Sequence, residues 1–204
     1  MPRVGIDILL KAYLEFRQKL EECENPPLDN GPQLIIMGHG SIDDPDGSWV
    51  YEKIHDTLNS PGYELIHGDV AVVRAPPSDA LLGCILQGAW VATQLSTRYA
   101  PSSESVVSLL TFVRRRREGF EVKVTEAINK RVPIIASDAG GIPLQVKEGK
   151  NGWIVPSGDS AAVSDTLYKI YKGKLSVHRD LSEEKELDGK SDPNSVAQEW
   201  VRLI

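Results

Sequence analysis

The chain of 204 residues has few cysteines, few histidines and no long apolar run. Cys23 and Cys84 are too few for a disulfide framework and have no metal-ligand spacing, so we expect a reducing, cytoplasmic compartment. The histidines are scattered without an i, i+4 pair, and we predict no metal site. No segment reaches the roughly eighteen apolar residues of a membrane span, and Asp7 and Lys11 interrupt any signal-peptide core. The composition therefore argues against a disulfide-rich scaffold and a membrane partner.

Basic residues are outnumbered by acidic ones. Lys and Arg number 23 against 29 Asp and Glu, which gives a formal net charge of −6. A nucleic-acid-binding domain would carry a basic footprint, so we predict no nucleic-acid partner. The hydrophobic content of 41% and the charged content of 25% are ordinary for a globular protein. Composition does not indicate an oligomeric state.

The last glycine of a dinucleotide fingerprint is missing. Gly38 and Gly40 follow an apolar run, but Asp43 stands where G-x-G-x-x-G needs its third glycine. A redox Rossmann domain is therefore disfavoured, and we interpret His39 as a loop-packing residue rather than a catalyst.

Apolar patterns along the chain predict helices and strands in alternation. Helices are predicted over about 6–20, 48–58, 79–87, 119–130 and 160–171, and strands over 33–37, 63–66, 70–74, 133–137 and 152–156, with a further apolar run at 90–95. Ser78 lies where it can cap the third helix. The pattern predicts an α/β fold, a Rossmann-like parallel sheet with helices on both faces. Ligands of such sheets bind at the carboxyl ends of the strands.

Two glutamates mark the first candidate site. Glu118 and Glu126 are eight positions apart in EGFEVKVTEA (residues 118–127), and Gly119 follows the first directly. A loop that enters a helix here presents free backbone N–H groups beside two carboxylates, which suits a polyhydroxylated or phosphorylated ligand. Solvated charges on an exposed helix are the alternative. Context favours a site, because a strand that ends near Arg98 and another that ends near Asp138 converge on the same edge.

Gly140 and Gly141 form the second candidate, within DAGGIP (residues 138–143). An ordinary strand-to-helix turn that needs a positive φ explains them. Close approach of backbone N–H groups to a phosphate or a sugar hydroxyl explains them equally well.

Four blocks in a fixed order carry a family resemblance. They are QLIIMGHGSIDDPDG (33–47), QLSTR (94–98), EGFEVKVTEA (118–127) and GGIPLQ (140–145). Together they resemble the fungal retaining trehalose phosphorylase and trehalose synthase group, which are GT-B-fold glycosyltransferases of family 4. The resemblance covers roughly residues 5–172, except for one insert. It implies that residues 1–172 form the donor-binding, C-terminal domain of such an enzyme, and that residues 173–204 are an acidic linker with a short terminal helix.

The resemblance also implies an activity. It is retaining glucosyl transfer, either from trehalose to phosphate, which gives glucose and α-glucose 1-phosphate, or from a nucleotide-activated glucose. The expected partners are the sugar donor and trehalose or glucose, and neither reaction needs a metal or another cofactor. A sugar- or nucleotide-binding module without catalysis, and a family 4 glycosyltransferase with another acceptor, are the alternatives.

Site roles follow from the same resemblance. Glu118 would be the catalytic glutamate that hydrogen-bonds donor-sugar hydroxyls, and the N–H groups of Gly119 and Phe120 would contact the sugar and the phosphate. Glu121, with the Gly140–Gly141 turn, would complete the donor site. Glu126 takes the position that meets a nucleotide ribose, a role that a phosphorylase does not need.

The beginning of the chain departs from the family. There the domain opens with a strand and a loop of the form S-R-F-D-P-S-K-G, whose Arg and Lys grip the donor phosphate. This chain has MPRVG at residues 1–5, with Val4 in place of the Lys. We therefore expect a sheet without its central first strand and a fragment that is inactive alone.

An insert at residues 99–117 is the second departure. The family runs from LSTR directly into EGFE, whereas here an apolar stretch and four arginines intervene. A basic peptide for an anionic surface is one interpretation. A gene-model artefact such as translated intron is the preferred one, because the insert splits the loop that must deliver Glu118, and a displacement of about 1 Å there can lower a rate about a hundredfold.

Overall fold

The computed structural model describes residues 5–23, 31–38, 45–74, 78–95 and 122–176. Helices and strands alternate along these residues. In chain order they are α1 (Gly5–Cys23), β1 (Leu34–Gly38), α2 (Pro45–Leu58), a 3₁₀ helix (Glu64–Ile66), β2 (Val70–Arg74), α3 (Asp79–Gly88), β3 (Ala92–Gln94), α4 (Val122–Asn129), β4 (Ile134–Ser137), α5 (Ile142–Gln145), β5 (Gly152–Val155) and α6 (Ser160–Tyr171). No described helix is both long enough and apolar enough to cross a membrane.

Local sequence explains why several helices form where they do. The buried residues of α1 recur at helical spacing, among them Ile6, Leu9, Tyr13 and Phe16. At α3 the Ser78 hydroxyl accepts a hydrogen bond from the Leu81 N–H at 3.3 Å, which satisfies one of the free donors of the first turn. The Asp159 carboxylate does the same for the Ala162 N–H of α6 at 3.0 Å. The predicted cap at Ser78 is confirmed.

The described strands form two parallel sheets. β1 pairs with β2, with Leu34 opposite Val70 and Gly38 opposite Arg74. The second sheet has the order β3-β4-β5. β4 and β5 approach closely at Gly152, where a Cβ atom would lie 2.1 Å from the backbone oxygen of Ile134, so only glycine fits. Whether a central strand is missing stays a prediction.

Two hydrophobic clusters cover the sheets, one on each face. On the first face, Leu34 and Ile36 of β1 and Ile135 of β4 belong to the cluster that contains the apolar side of α1. On the opposite face, Met37 of β1 shares a cluster with Ala92 of β3 and with residues of α3 and α4. The two sheets therefore form one layer between two layers of helices, and the predicted α/β class is confirmed.

The predicted strand at residues 63–66 is wrong. Glu64–Ile66 is a 3₁₀ helix, in which the Ile66 N–H bonds back to the Tyr63 oxygen at 3.1 Å. Ile66 is fully buried in the hydrophobic cluster that contains the apolar side of α1. Its apolar character therefore reflects a buried turn between α2 and β2. Four residues are too few for periodicity to separate such a turn from a strand.

Candidate functional site

The turn after β4 is tied to the end of β5 at the carboxyl edge of the sheet. The Asp138 N–H donates to the Val155 oxygen at 3.0 Å. The Asp138 carboxylate in turn accepts a hydrogen bond from the Ser157 N–H at 2.8 Å. Through its backbone and its side chain, Asp138 thus holds the end of β4 to the end of β5. The position of the loop that begins at Asp138 is therefore fixed.

Gly140 and Gly141 form the exposed middle of this turn. Gly140 has a φ of +55°, and no atom would lie within 4 Å of a Cβ added there. Ala139 and Ile142 on either side are 4% and 3% exposed and anchor the turn in the core. The positive φ explains why a glycine stands at 140. The open space would also let a ligand approach the backbone, and that role stays a prediction.

The helix that carries Glu126 begins at the same edge. α4 leads into β4, so its first turn lies at the carboxyl ends of the strands. Val124 and Ala127 bury one side of α4 in the cluster shared with β4, whereas Glu126 is half-buried. This placement leaves the Glu126 carboxylate at the boundary between core and solvent.

A hydrogen bond joins α4 to α5. The Thr125 hydroxyl donates to Oε1 of Gln145 at 2.9 Å. The backbone oxygen of Gln145 accepts from Nδ2 of Asn151 at 3.1 Å, and Oδ1 of Asn151 accepts from the Lys147 N–H at 2.7 Å. These bonds connect the helix of Glu126, the helix that follows the glycine turn and the loop before β5. Glu126, Gly140 and Gly141 thus lie on elements that meet at one edge.

The remaining predicted site residues lie outside the described part of the chain. They are Glu118, Gly119, Phe120 and Glu121. His39 and the insert at 99–117 also lie outside it. Their proposed roles remain predictions from the resemblance.

Leu144 and the Thr125–Gln145 pair are features of the site that the sequence analysis did not identify. Leu144 is 87% exposed although it follows the glycine turn by only three residues. Ile142 is buried, and residues two apart on a helix point to opposite sides, so the helical period could have predicted the exposure of Leu144. The Thr125–Gln145 bond spans twenty residues and leaves no local signal.

Two described tyrosines whose pKa is raised lie away from this edge. Burial raises the pKa of Tyr13 on α1 to about 12. Burial also raises the pKa of Tyr63, with a contribution from the charges of Asp7 and Glu15. Within the described ranges no three His, Cys, Asp or Glu side chains cluster as metal ligands would. What the described edge offers a ligand is therefore backbone N–H groups and hydroxyl, amide and carboxylate side chains.

Comparisons with known proteins agree with this architecture. Residues 96–187 match the family of glycosyl transferases group 1. The chain is 39% identical over 184 residues to a trehalose phosphorylase of Pleurotus pulmonarius, an alignment that covers 89% of this chain and 22% of the relative. It is 27% identical over 200 residues to a trehalose synthase of Thermococcus litoralis, covering 98% of this chain and 38% of that one. The chain thus spans about a fifth of the trehalose phosphorylase.

Solved structures share the fold. The crystal structure of HepE from Anabaena in complex with UDP and glucose superposes with a TM-score of 0.66 at 18% identity, over 100% of this chain and 45% of that one. An identity this low is informative about the fold alone, which is the predicted GT-B type. The chain carries a glycosyltransferase group 1 region, and its resemblance to the trehalose phosphorylase and trehalose synthase group is confirmed.

Proposed function

We propose that residues 1–172 form the donor-binding domain of a retaining glucosyltransferase of trehalose metabolism. The reaction would be reversible transfer of glucose from trehalose to phosphate, which gives glucose and α-glucose 1-phosphate. The similarity to trehalose phosphorylases over 89% of the chain supports this activity. Residues 173–204 would be a linker and a short terminal helix outside the domain.

The observation that carries the proposal is the junction of α4 and α5. The motif that begins at Glu118 leads into α4, and the glycine turn leads into α5. The Thr125–Gln145 hydrogen bond holds these two helices together. A donor that lies across both helix starts would contact the sugar-binding motif and the glycine turn at the same time.

The roles of the residues follow from the charge that develops in the reaction. Glu118 would accept hydrogen bonds from hydroxyls of the donor sugar and so fix its orientation. The N–H groups of Gly119 and Phe120, with those of the Gly140–Gly141 turn, would donate to the phosphate of the donor. Donors that are held in place before the reaction stabilise a leaving phosphate without further rearrangement.

A nucleotide-glucose donor is the second candidate. Solved structures of HepE contain UDP and UDP-glucose, and the trehalose synthase of Thermococcus litoralis is another relative. In this case Glu126 would accept hydrogen bonds from ribose hydroxyls. A phosphorylase would leave Glu126 without that role, so this residue separates the two donors.

Calorimetric titration of the purified chain with α-glucose 1-phosphate and with UDP-glucose tests both candidates. E118Q should lower the affinity for either donor by about tenfold or more, because a charge-assisted hydrogen bond is lost. E126Q should weaken only UDP-glucose. E52Q is the matched control, since Glu52 is an exposed glutamate on α2, on the other face of the sheet. Wild-type protein that folds but binds neither compound would contradict the proposal.

Catalysis by this chain alone is a separate matter. We expect no measurable release of glucose from trehalose and phosphate by the purified chain, because no residue in it is assigned to the acceptor. Donor binding without turnover is also what a non-catalytic binding module would show. Robust turnover would contradict both expectations and would mean that the chain itself contains an acceptor site.

A further inference from the structure

Three aromatic rings form a row that runs from the core to the surface. The Phe16 ring of α1 is 3% exposed, and it contacts the Tyr171 ring of α6 edge-on, with 6.0 Å between the centroids. The Tyr171 ring lies 6.0 Å from the Trp90 ring at an interplanar angle of 35°. Trp90 is 66% exposed, whereas Tyr171 is half-buried. We call Trp90 and Tyr171 the aromatic ledge.

The aromatic ledge is held in place by its neighbours. Phe16 supports Tyr171 from the side of the core. Nζ of Lys172 lies 6.0 Å from the Tyr171 centroid and 5.8 Å from that of Tyr168, so a cation–π contact also holds this end of α6. Val91, the residue after Trp90, packs against the cluster that contains Phe16. Rings that are already fixed lose little conformational freedom when a ligand stacks on them.

The aromatic ledge and the candidate donor site lie at opposite ends of the strands. Trp90 stands two residues before β3, and Tyr171 ends the helix that returns from β5, so both lie at the amino ends of these parallel strands. The glycine turn and the start of α4 lie at the carboxyl ends. A ligand on the aromatic ledge would therefore occupy a second site, and its binding can be measured separately from that of the donor.

The exposed rings suit the C–H face of a sugar. The face of an aromatic ring is negative, whereas the neighbouring oxygens make the C–H groups of a sugar ring slightly positive. In glucopyranose the hydroxyl groups stand equatorial, so both faces of the ring present C–H groups. The distance of 6.0 Å between the Trp90 and Tyr171 rings is similar to the length of one glucosyl unit. The Lys172 ammonium beside them can donate hydrogen bonds to sugar oxygens.

A protein partner fits the aromatic ledge less well. A stable protein interface takes about 800 Å² from each partner and is apolar at its centre. The residues that flank the ledge in the chain include Gln87, Gly88 and Lys172–Lys174, which are exposed and mostly polar. The ledge is thus a small apolar surface within a polar one, which matches a sugar better than the centre of a protein interface.

We propose that the aromatic ledge binds an extended oligosaccharide of glucose, with one glucosyl unit stacked on Trp90 and the next on Tyr171. The contact uses ring faces and no ion pair, so the Kd should be about 1 mM and should change little with salt. This site goes beyond the proposed donor site, because it needs neither a phosphate nor a nucleotide. Its effect would be to hold the chain on a glucose polymer.

NMR titration of the full chain with cellotetraose, a soluble and extended oligosaccharide of glucose, tests the site. The indole N–H signal of Trp90 is assigned by its absence in W90F. It should shift with a Kd of about 1 mM, and saturating α-glucose 1-phosphate should not prevent the shift. The indole signal of Trp49, on α2, should stay in place. A Trp90 signal that does not move, or one whose shift α-glucose 1-phosphate abolishes, would overturn the proposal.

Variants give the second test, with affinity followed by the backbone amide signal of Gly173. W90A should weaken cellotetraose binding by about tenfold or more, because the stacking surface is lost. W49A is the matched control, since Trp49 is 48% exposed and also lies near an ammonium, with Lys53 at 5.2 Å. Y171F keeps the second ring and should retain most of the affinity, whereas Y171L should lower it several-fold.

Circular dichroism checks that each variant is folded. Equal affinities of W90A and W49A would place the sugar elsewhere and reject the aromatic ledge. If W90A does not fold, the shift of the Trp90 signal in the unmodified chain still decides the question. These readouts do not depend on donor binding, so they remain valid if the proposed enzymatic function is wrong.

Discussion

Thr125 and Gln145 are twenty residues apart in the chain and are joined by a hydrogen bond of 2.9 Å between Oγ1 and Oε1. The bond connects the middle of α4 with the last residue of α5. α4 follows the glutamate motif and α5 follows the glycine turn, so the bond sets the separation of two segments that would contact one ligand.

Replacement of Thr125 by valine tests this link. T125V keeps the shape of the side chain and removes the donor, so the free energy of unfolding should fall by about 1 kcal/mol. Affinity for the donor should fall as well, because a bond that holds α4 and α5 together is lost. T125S keeps the hydroxyl and should retain most of both. Urea unfolding and calorimetry measure the two effects, and a T125V protein with unchanged donor affinity would contradict a positioning role.

Replacement of Gly140 should destabilise the chain because of the backbone conformation at this position and not because of a steric clash. Its φ is +55°, and the space around it is open. G140A should therefore lower the free energy of unfolding by about 1 kcal/mol through strain alone. G68A is the matched control, since Gly68 is also exposed and open but has no positive φ. Thermal denaturation of both variants checks the difference, and equal melting temperatures would show that the turn relaxes without strain.

Arg17 and Asp69 form an ion pair that ties α1 to the start of β2. The Arg17 side chain is 7% exposed and that of Asp69 is 23% exposed. D69N should destabilise the chain by about 3 kcal/mol, because it leaves a buried guanidinium without its counter-charge. R17M should also destabilise it. In R17M/D69N the loss should be smaller than the sum of the two single losses, since no buried charge remains. Additive losses in urea unfolding would mean that the pair contributes little coupling.

Ionisation of Tyr13 should lower the stability of the chain at high pH. Burial raises its pKa from 10.0 to about 12, and its hydroxyl donates to the Pro32 oxygen, which requires the proton. The folded state therefore holds this proton more tightly than the unfolded state. The resulting stability is complete below pH 10 and is lost as the pH rises towards 12, by at most about 2–3 kcal/mol. Urea unfolding at several pH values should show this decline.

Y13F removes the titrating group and should flatten the decline. Some slope should remain, because burial also raises the pKa of Tyr63. If Y13F follows the same pH dependence as the wild type, the alkaline loss has another origin.

Sequence predicted the parts of this fold that depend on neighbouring residues. The helical spacing of Ile6, Leu9 and Phe16 predicted α1, and Ser78 predicted the start of α3, because periodicity and capping act within a few residues. The 3₁₀ helix at Glu64–Ile66 was missed, since a buried turn and a short strand have the same composition.

The candidate site was predictable only in part. The positive φ of Gly140 follows from a local rule about glycine in turns. The Thr125–Gln145 bond depends on how α4 and α5 pack, which no local pattern specifies. The extent of each sheet likewise depends on which strands meet, which the spacing of apolar residues does not specify.

The packing of α1 against α6 affects how the chain folds as it is synthesised. Phe16 contacts Tyr171, and Glu15 accepts a hydrogen bond from Ser160, so the first described helix is covered by the last. The ribosome makes α6 roughly 140 residues after α1. At typical translation speeds the part of α1 that α6 covers stays uncovered for on the order of ten seconds. During that interval a nascent chain of this protein presents an apolar helix surface to which chaperones can bind, and this face of the fold cannot be completed before α6 has been made.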